Sequence, residues 1–152
     1  MRDVLEGQGR TLVISGDSGI GKSRLVEEIL SEAIVGDLDV VDGACLSYGR
    51  TMTYHPWAEI LRALFGFSMD QNPQDRIQTL TQHMEAIEQA LFTPLIGQVM
   101  GLPVEDNDLT RDLDAKLRRQ RVLDLVLQLL QTRSDEQPLL VLIEDAHWAD
   151  DA

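Results

Sequence analysis

An α/β fold with a parallel sheet follows from three features of the sequence. An apolar run at residues 11–15 leads into a glycine-rich turn and then a stretch with helical periodicity. A second apolar run, residues 139–143, ends in two acids. Between a short strand candidate at residues 39–45 and that second run, the apolar spacing is helical throughout. Strands alternating with helices predict a three-layer sandwich, helices on both faces of a parallel sheet. A helical insert at about residues 56–132 separates the second strand from the last one.

The first element is the strand Thr11, Leu12, Val13, Ile14, Ser15. Residues 16–23 then read Gly-Asp-Ser-Gly-Ile-Gly-Lys-Ser, and Leu25, Val26, Ile29, Leu30 and Ala33 mark one face of the following helix. Gly16 and Gly21 match the fixed glycines of G-x-x-x-x-G-K-[ST], the phosphate-binding P-loop, or Walker A motif. Glycines at 16, 19 and 21 let the backbone curl so that successive N–H groups converge on a phosphate. The helix start adds its unpaired N–H groups and the positive end of its dipole. Lys22 is expected to reach the β- and γ-phosphates and Ser23 to ligate Mg²⁺. Asp17, Ser18, Ile20 and Arg24 complete the expected nucleotide-contacting segment. The alternative is a glycine turn that binds nothing.

The remaining elements follow in order. Residues 39–45 form a second strand, with Cys45 a small buried residue at its end. A loop through Tyr48, Gly49, Tyr54 and His55 reaches Pro56, a favoured first residue of a helix carrying Trp57, Ile60, Leu61, Leu64 and Phe65. His55 is either a nucleotide contact or a plain loop residue, and Trp57 and Phe65 are core rather than a base-stacking platform. A loop over residues 66–73 precedes a helix from near Asp75 with Ile77, Leu80, Met84, Ile87 and Leu91 on one face. His83 on that helix has no partner at metal-ligand spacing. Pro94 interrupts, and a shorter helix carries Leu95, Ile96, Val99 and Met100. Residues 101–108 are a turn-rich, acidic connection. A long helix at about residues 112–132 holds Leu113, Leu117, Leu123, Val126, Leu127 and Leu130. Its Arg118, Arg119 and Arg121 read as a solvated face, the alternative being a trans-acting arginine or a partner contact. Residues 134–138 end it, and the unbroken apolar run 139–143 reads as a buried strand.

Glu144 and Asp145 follow at the C-terminal end of that strand, where open α/β sheets form their ligand crevice. One carboxylate there can hold Mg²⁺ directly or through water, and the other can orient or deprotonate the attacking water. Residues 139–145 therefore read as a Walker B segment, and its pairing with the P-loop in one chain is a far stronger signal than either alone.

Residues 16–28, Gly-Asp-Ser-Gly-Ile-Gly-Lys-Ser-Arg-Leu-Val-Glu-Glu, and residues 142–151, Leu-Ile-Glu-Asp-Ala-His-Trp-Ala-Asp-Asp, resemble the ATPase module of the STAND class. This AAA-like type is similar to the module of large LuxR-type regulators and of signalling proteins with cyclase or kinase domains. Tyr54, Pro56, Glu59, Leu61 and Arg62 resemble the family's segment after the second strand. The resemblance implies ATP and Mg²⁺ as ligands, with Lys22 and Ser23 on phosphate and metal. It implies a metal-ligand position for Glu144 and a water-orienting one for Asp145; Glu144 departs from the Asp often found there. His147 and Trp148 would either read the γ-phosphate state or pack the strand end. It further implies that a strand between the P-loop strand and the Walker B strand, a sensor residue, a fifth strand and a helical lid lie outside residues 1–152. The sheet is thus truncated after Walker B, and the chain is expected to be one part of a larger protein.

Bulk composition narrows the partners. A formal net charge of −13, from 26 acidic and 13 basic residues, opposes binding of a nucleic-acid backbone. Of the two lysines, Lys22 and Lys116, one lies in the P-loop. A single cysteine excludes an internal disulfide. No apolar run approaches the roughly 20 residues of a membrane span, and residues 1–6 lack a signal-peptide core, so a cytoplasmic location is expected.

The leading expectation is an ATP/Mg²⁺-binding part of a signalling ATPase, a nucleotide-dependent switch with an effector domain in the same full-length chain and a possible homo-oligomeric form. Its catalytic residues would be Lys22, Glu144 and Asp145. A non-catalytic nucleotide-binding interaction module is the alternative. A small-molecule kinase fits less well, because the Walker B strand comes so late, and a GTPase lacks its Asn-Lys-x-Asp motif.

Overall fold

The computed structural model describes residues 7–46, 54–68 and 70–149. The chain forms helix α1 (Lys22–Val35), strand β1 (Asp39–Ala44), helices α2 (His55–Leu64) and α3 (Pro73–Ala86) and a 3₁₀ turn, Ala90–Phe92. Helices α4 (Thr93–Met100), α5 (Asp108–Arg111) and α6 (Ala115–Glu136), strand β2 (Leu139–Glu144) and a second 3₁₀ turn, Ala146–Trp148, follow. The expected loop positions Tyr48 and Gly49, and Asp150 and Asp151 of the Walker B tail, lie outside the described residues.

β1 and β2 pair in parallel, with Asp39 opposite Leu139 and Ala44 opposite Glu144. The ladder extends one residue each way: Asp39 N donates to Pro138 O at 2.9 Å and Cys45 N to Glu144 O at 3.0 Å. Arg133 near the end of α6 pairs with Asp39 at the start of β1, which seats the long helix against the strand it precedes in space. Gly43 is required for the next contact. A Cβ there would lie 2.3 Å from the carbonyl oxygen of Pro56, so α2 packs on β1 backbone to backbone.

The hydrophobic core sits in the helical insert, not on the sheet. Leu61 and Phe65 of the α2 region, Leu80 and Met84 of α3, Leu95 and Ile96 of α4, and Leu125 and Val126 of α6 form one buried cluster. All but Leu125 are expected apolar positions; Leu117 and Leu127, also expected among the apolar positions of the long helix, instead point to solvent, 52% and 63% exposed. Trp57 packs partly buried against the same cluster, and Phe65 lies inside it, so neither is a stacking platform.

Several expectations are corrected. Residues 11–15 do not join the sheet: they take no strand assignment, and Leu12 and Val13 are 72% and 80% exposed. A strand is stabilised by a ladder partner, and none of the described backbone bonds reaches these residues. β2 is a strand but not a buried one. Its Val141 and Ile143 are exposed, because the sheet face onto which both point is left partly uncovered. The sandwich is thus represented by a two-stranded parallel sheet with helices.

The helix from Asp75 ends earlier than its apolar spacing suggests. Glu88 takes φ 59°, Gln89 N donates to Met84 O at 2.7 Å and Glu88 N to Glu85 O at 2.9 Å. This is a Schellman closure made without glycine, and it throws Leu91 out to 65% exposure. The long helix expected at about 112–132 is α6, starting at Ala115, and the short helix α5 begins at the end of the segment 101–108 expected as a connection and runs just beyond it. Asn107 caps α5 and Asp114 caps α6, each accepting a bond from a backbone N–H of the first turn. At its far end α6 runs on through Glu136, where Arg133 and Glu136 pair at 2.9 Å one turn apart.

Candidate nucleotide-binding site

The loop at residues 16–23 has the backbone its glycines allow. Gly19 and Gly21 take φ 82° and 100°, a region that a Cβ disfavours. Gly21 is the N-cap of α1, and Leu25 N donates back to Gly21 O at 3.1 Å to close the first turn. No side chain caps α1, and its first turn carries no acid. α3, α5 and α6 are capped by Asn72, Asn107 and Asp114, whereas α2 and α4, like α1, carry no side-chain cap; only α1 starts from a glycine loop. The N–H groups at the start of α1 are therefore left for an anion, together with the positive end of the helix dipole.

Lys22 lies across this loop. Its Nζ donates to Gly16 O at 2.8 Å and to Asp17 O at 2.9 Å. The ammonium is thereby held over the concave side of the loop by two carbonyls rather than by a carboxylate. Ile20 N approaches Asp17 O at 3.4 Å, and the Ile20 side chain sits over Gly16. Ser18, Ser23 and Arg24 are exposed. The cradle, the uncapped helix and the lysine fit a triphosphate, with Ser23 in the first helical turn free to ligate Mg²⁺.

At the other motif, Glu144 is the last residue of β2 and Asp145 follows in a left-handed conformation, φ 52° and ψ 36°. That conformation turns the chain sharply out of the sheet into the 3₁₀ turn, closed by Trp148 N donating to Asp145 O at 2.8 Å. Both acids are exposed. His147 and Trp148 pack on each other, ring centroids 4.9 Å apart, and Trp148 remains 46% exposed rather than packing under the strand end.

Among the described residues no hydrogen bond or ion pair joins residues 16–23 to Glu144 or Asp145. The physical reason is the unpaired segment 11–15. The loop is carried by that segment and by α1, and neither is bonded into the ladder beside β2. Each half of the predicted site is formed locally, and the two are not tied together.

Two contacts near the end of β1 were not foreseen. Glu59 Oε2 accepts a bond from Ala44 N at 2.9 Å, and His55 Nδ1 lies 3.3 Å from Ala44 O. His55 is thus committed to backbone rather than free for a nucleotide. The Arg118 and Arg121 side chains are likewise engaged, not solvated. Arg118 bonds Asp106, Gln98 Oε1 and Thr110 O, while Arg121 lies 3.9 Å from the Phe92 ring centroid. Hydrogen bonds from Thr110 and then Arg118 hold the Asp106 carboxyl below its usual value. Arg119 remains exposed, as expected. His83 stacks on Phe65, ring centroids 4.6 Å apart.

The sequence matches the AAA ATPase domain family over residues 1–152, both motifs included. The chain belongs to that family. It is a nucleotide-binding ATPase module of the P-loop type, and nucleotide with Mg²⁺ is the chemistry the family uses in general. It is also similar to an uncharacterized protein of Rhizobium meliloti (strain 1021), 28% identical over 148 residues. That match covers 97% of this chain and 14% of the relative, so the chain spans about one seventh of its length. No solved structure gives a significant match. Among the described residues no helix is long and apolar enough to cross a membrane.

Proposed function

We propose that this AAA ATPase domain is the ATP- and Mg²⁺-binding part of a STAND-type signalling ATPase, a nucleotide-dependent switch within a larger regulatory protein in the cytoplasm. The observation that carries the nucleotide site is Lys22 lying across a glycine cradle at the uncapped start of α1. Gly16, Asp17, Ser18, Gly19, Ile20, Gly21, Lys22, Ser23 and Arg24 would surround the phosphates. Ser23 and Glu144 would hold Mg²⁺, which neutralises phosphate charge when bound. Asp145, at the strand end, would orient the attacking water. The switch itself rests on the resemblance of the His-Trp-Ala-Asp tail and of the P-loop to the STAND class, where an effector domain and self-assembly accompany the module. In the whole protein the sheet is read as a three-layer sandwich with residues 11–15 as one of its strands.

A second reading, a nucleotide-binding interaction module without turnover, is favoured by one observation: the P-loop and the Walker B acids are not joined among the described residues. ATP and GTP binding with and without Mg²⁺, measured on this chain and on Lys22→Ala, tests the site. Mg²⁺-dependent ATP binding that the variant loses supports both readings, and no binding by the parent chain sinks both. Turnover by the larger protein that Asp145→Asn abolishes while binding persists selects the switch; turnover unaffected by the change rejects Asp145 as the water-orienting acid.

A further inference from the structure

The two edges of the sheet are treated differently. In a parallel ladder, alternate residues of a strand direct both backbone groups to one neighbour, and the residues between them direct theirs the other way. Asp39 N and Cys45 N donate to β2, so Val40, Asp42 and Ala44 of β1 turn their N–H and C=O groups to the outer edge. On β2 the residues facing away from β1 are Leu139, Val141 and Ile143. A row of unpaired backbone groups is a template for another strand unless it is blunted.

Among the described residues β1 is blunted at its end and β2 is not. Ala44, the last outward residue of β1, has both backbone groups taken: Glu59 Oε2 accepts its N–H at 2.9 Å, and His55, with its proton on Nδ1, donates to its carbonyl at 3.3 Å. The two side chains stand one helical turn apart on α2, 3.7 Å from each other. Gly43 lets them arrive there, since it seats the first turn of α2 directly on the strand. Asp42, the outward residue before Ala44, is an exposed charge. The outward positions of β2 are apolar throughout.

We propose that Glu59 and His55 are edge guards: they occupy the end of the outer edge of β1, at Ala44, so that a strand of another molecule cannot pair along it. The chemistry is specific. A carboxylate is matched to the free N–H and an imidazole N–H to the free carbonyl, as an incoming strand would match them. Glu59→Gln keeps an acceptor at the same place and preserves the guard. Glu59→Ala removes it and leaves Ala44 N–H open. His55→Ala opens the carbonyl alone.

The test compares self-association of the full chain and these variants by sedimentation velocity, together with residue-resolved amide hydrogen exchange. Glu59→Ala is expected to associate at least about tenfold more tightly than wild type, the size of one or two net strand hydrogen bonds. Val40 and Asp42 amides should become protected in the associated form, and Glu59→Gln should behave as wild type. His55→Ala should move in the same direction by less, and it carries the test if Glu59→Ala does not fold. Unchanged association, or association that leaves Val40 and Asp42 unprotected, overturns the proposal. So does a Glu59→Gln variant that associates like Glu59→Ala.

Discussion

Gly43 and Pro56 meet backbone to backbone: a Cβ on residue 43 would stand 2.3 Å from the Pro56 carbonyl oxygen. No flexible side chain is available to yield. Gly43→Ala is therefore expected to push α2 off β1 and to cost about 1–3 kcal/mol, the usual range for overpacking. Chemical denaturation of the two proteins measures it, and a loss below about 0.5 kcal/mol would show that α2 gives way without strain.

Lys22 makes its two hydrogen bonds at an exposed loop, so its removal should leave the folded state nearly untouched. Lys22→Ala is expected to change stability within about 0.5 kcal/mol. Its ATP affinity should fall by about tenfold to a hundredfold or more, since a hydrogen bond to a charged group is worth about 1.5–3 kcal/mol. Calorimetric titration and a melting curve on one sample separate the two effects.

Burial is the main cause holding the His83 imidazole below its usual 6.5, with Glu136 opposing and Arg133 reinforcing the shift. The sign follows from linkage. An unfolded chain takes up this proton at higher pH than the folded one, so His83 favours unfolding as pH falls below about 6.5. Its effect vanishes at higher pH, where both states are neutral. Denaturation midpoints between pH 5 and 8 should show this slope, and His83→Gln should flatten it.

Asn107 and Thr110 bond each other reciprocally at the start of α5, side chain to backbone in both directions. Asn107 Nδ2 also donates to Leu91 O at 2.7 Å, tying α5 to the 3₁₀ turn. Asn107→Ala should cost about 1–2 kcal/mol, more than an isolated cap because the tether is lost as well. Thermal unfolding reads it directly, and a cost no larger than that of Asn72→Ala would deny the tether a role.

Both motifs and most helices were legible because their signals are local. The Gly-Lys-Ser turn, the Pro56 and Pro94 helix starts and the apolar spacing of α2, α3 and α6 need no knowledge of neighbours. The segment 11–15 was misread for the converse reason. Thr-Leu-Val-Ile-Ser favours a strand by composition, but a ladder partner decides whether it becomes one. The same holds for β2, where an all-apolar run announces two covered faces and the face carrying Val141 and Ile143 stays exposed. Glu59, Arg118 and Arg121 stand out in the sequence, but their contacts do not, because the partners are remote: Ala44, Asp106 and Gln89. At residues 16–23 the glycine spacing foretells the positive-φ backbone; the placement of that loop relative to Glu144 and Asp145 depends on sheet order, which side-chain pattern does not encode.

α2 bridges the sheet and the other helices through two residues one turn apart. Arg62 Nη2 donates to Met100 O at 2.8 Å, gripping the end of α4, while three residues earlier Glu59 grips Ala44 at the end of β1. A ten-residue rod thus connects the densely packed helices to the sheet through two short arms. Rigid rods transmit displacement. A shift of α4 against its neighbours would be delivered to the tip of β1, and through the Cys45–Glu144 bond to the tip of β2. The helical insert is thus tied by α2 to the end of the sheet that carries Glu144.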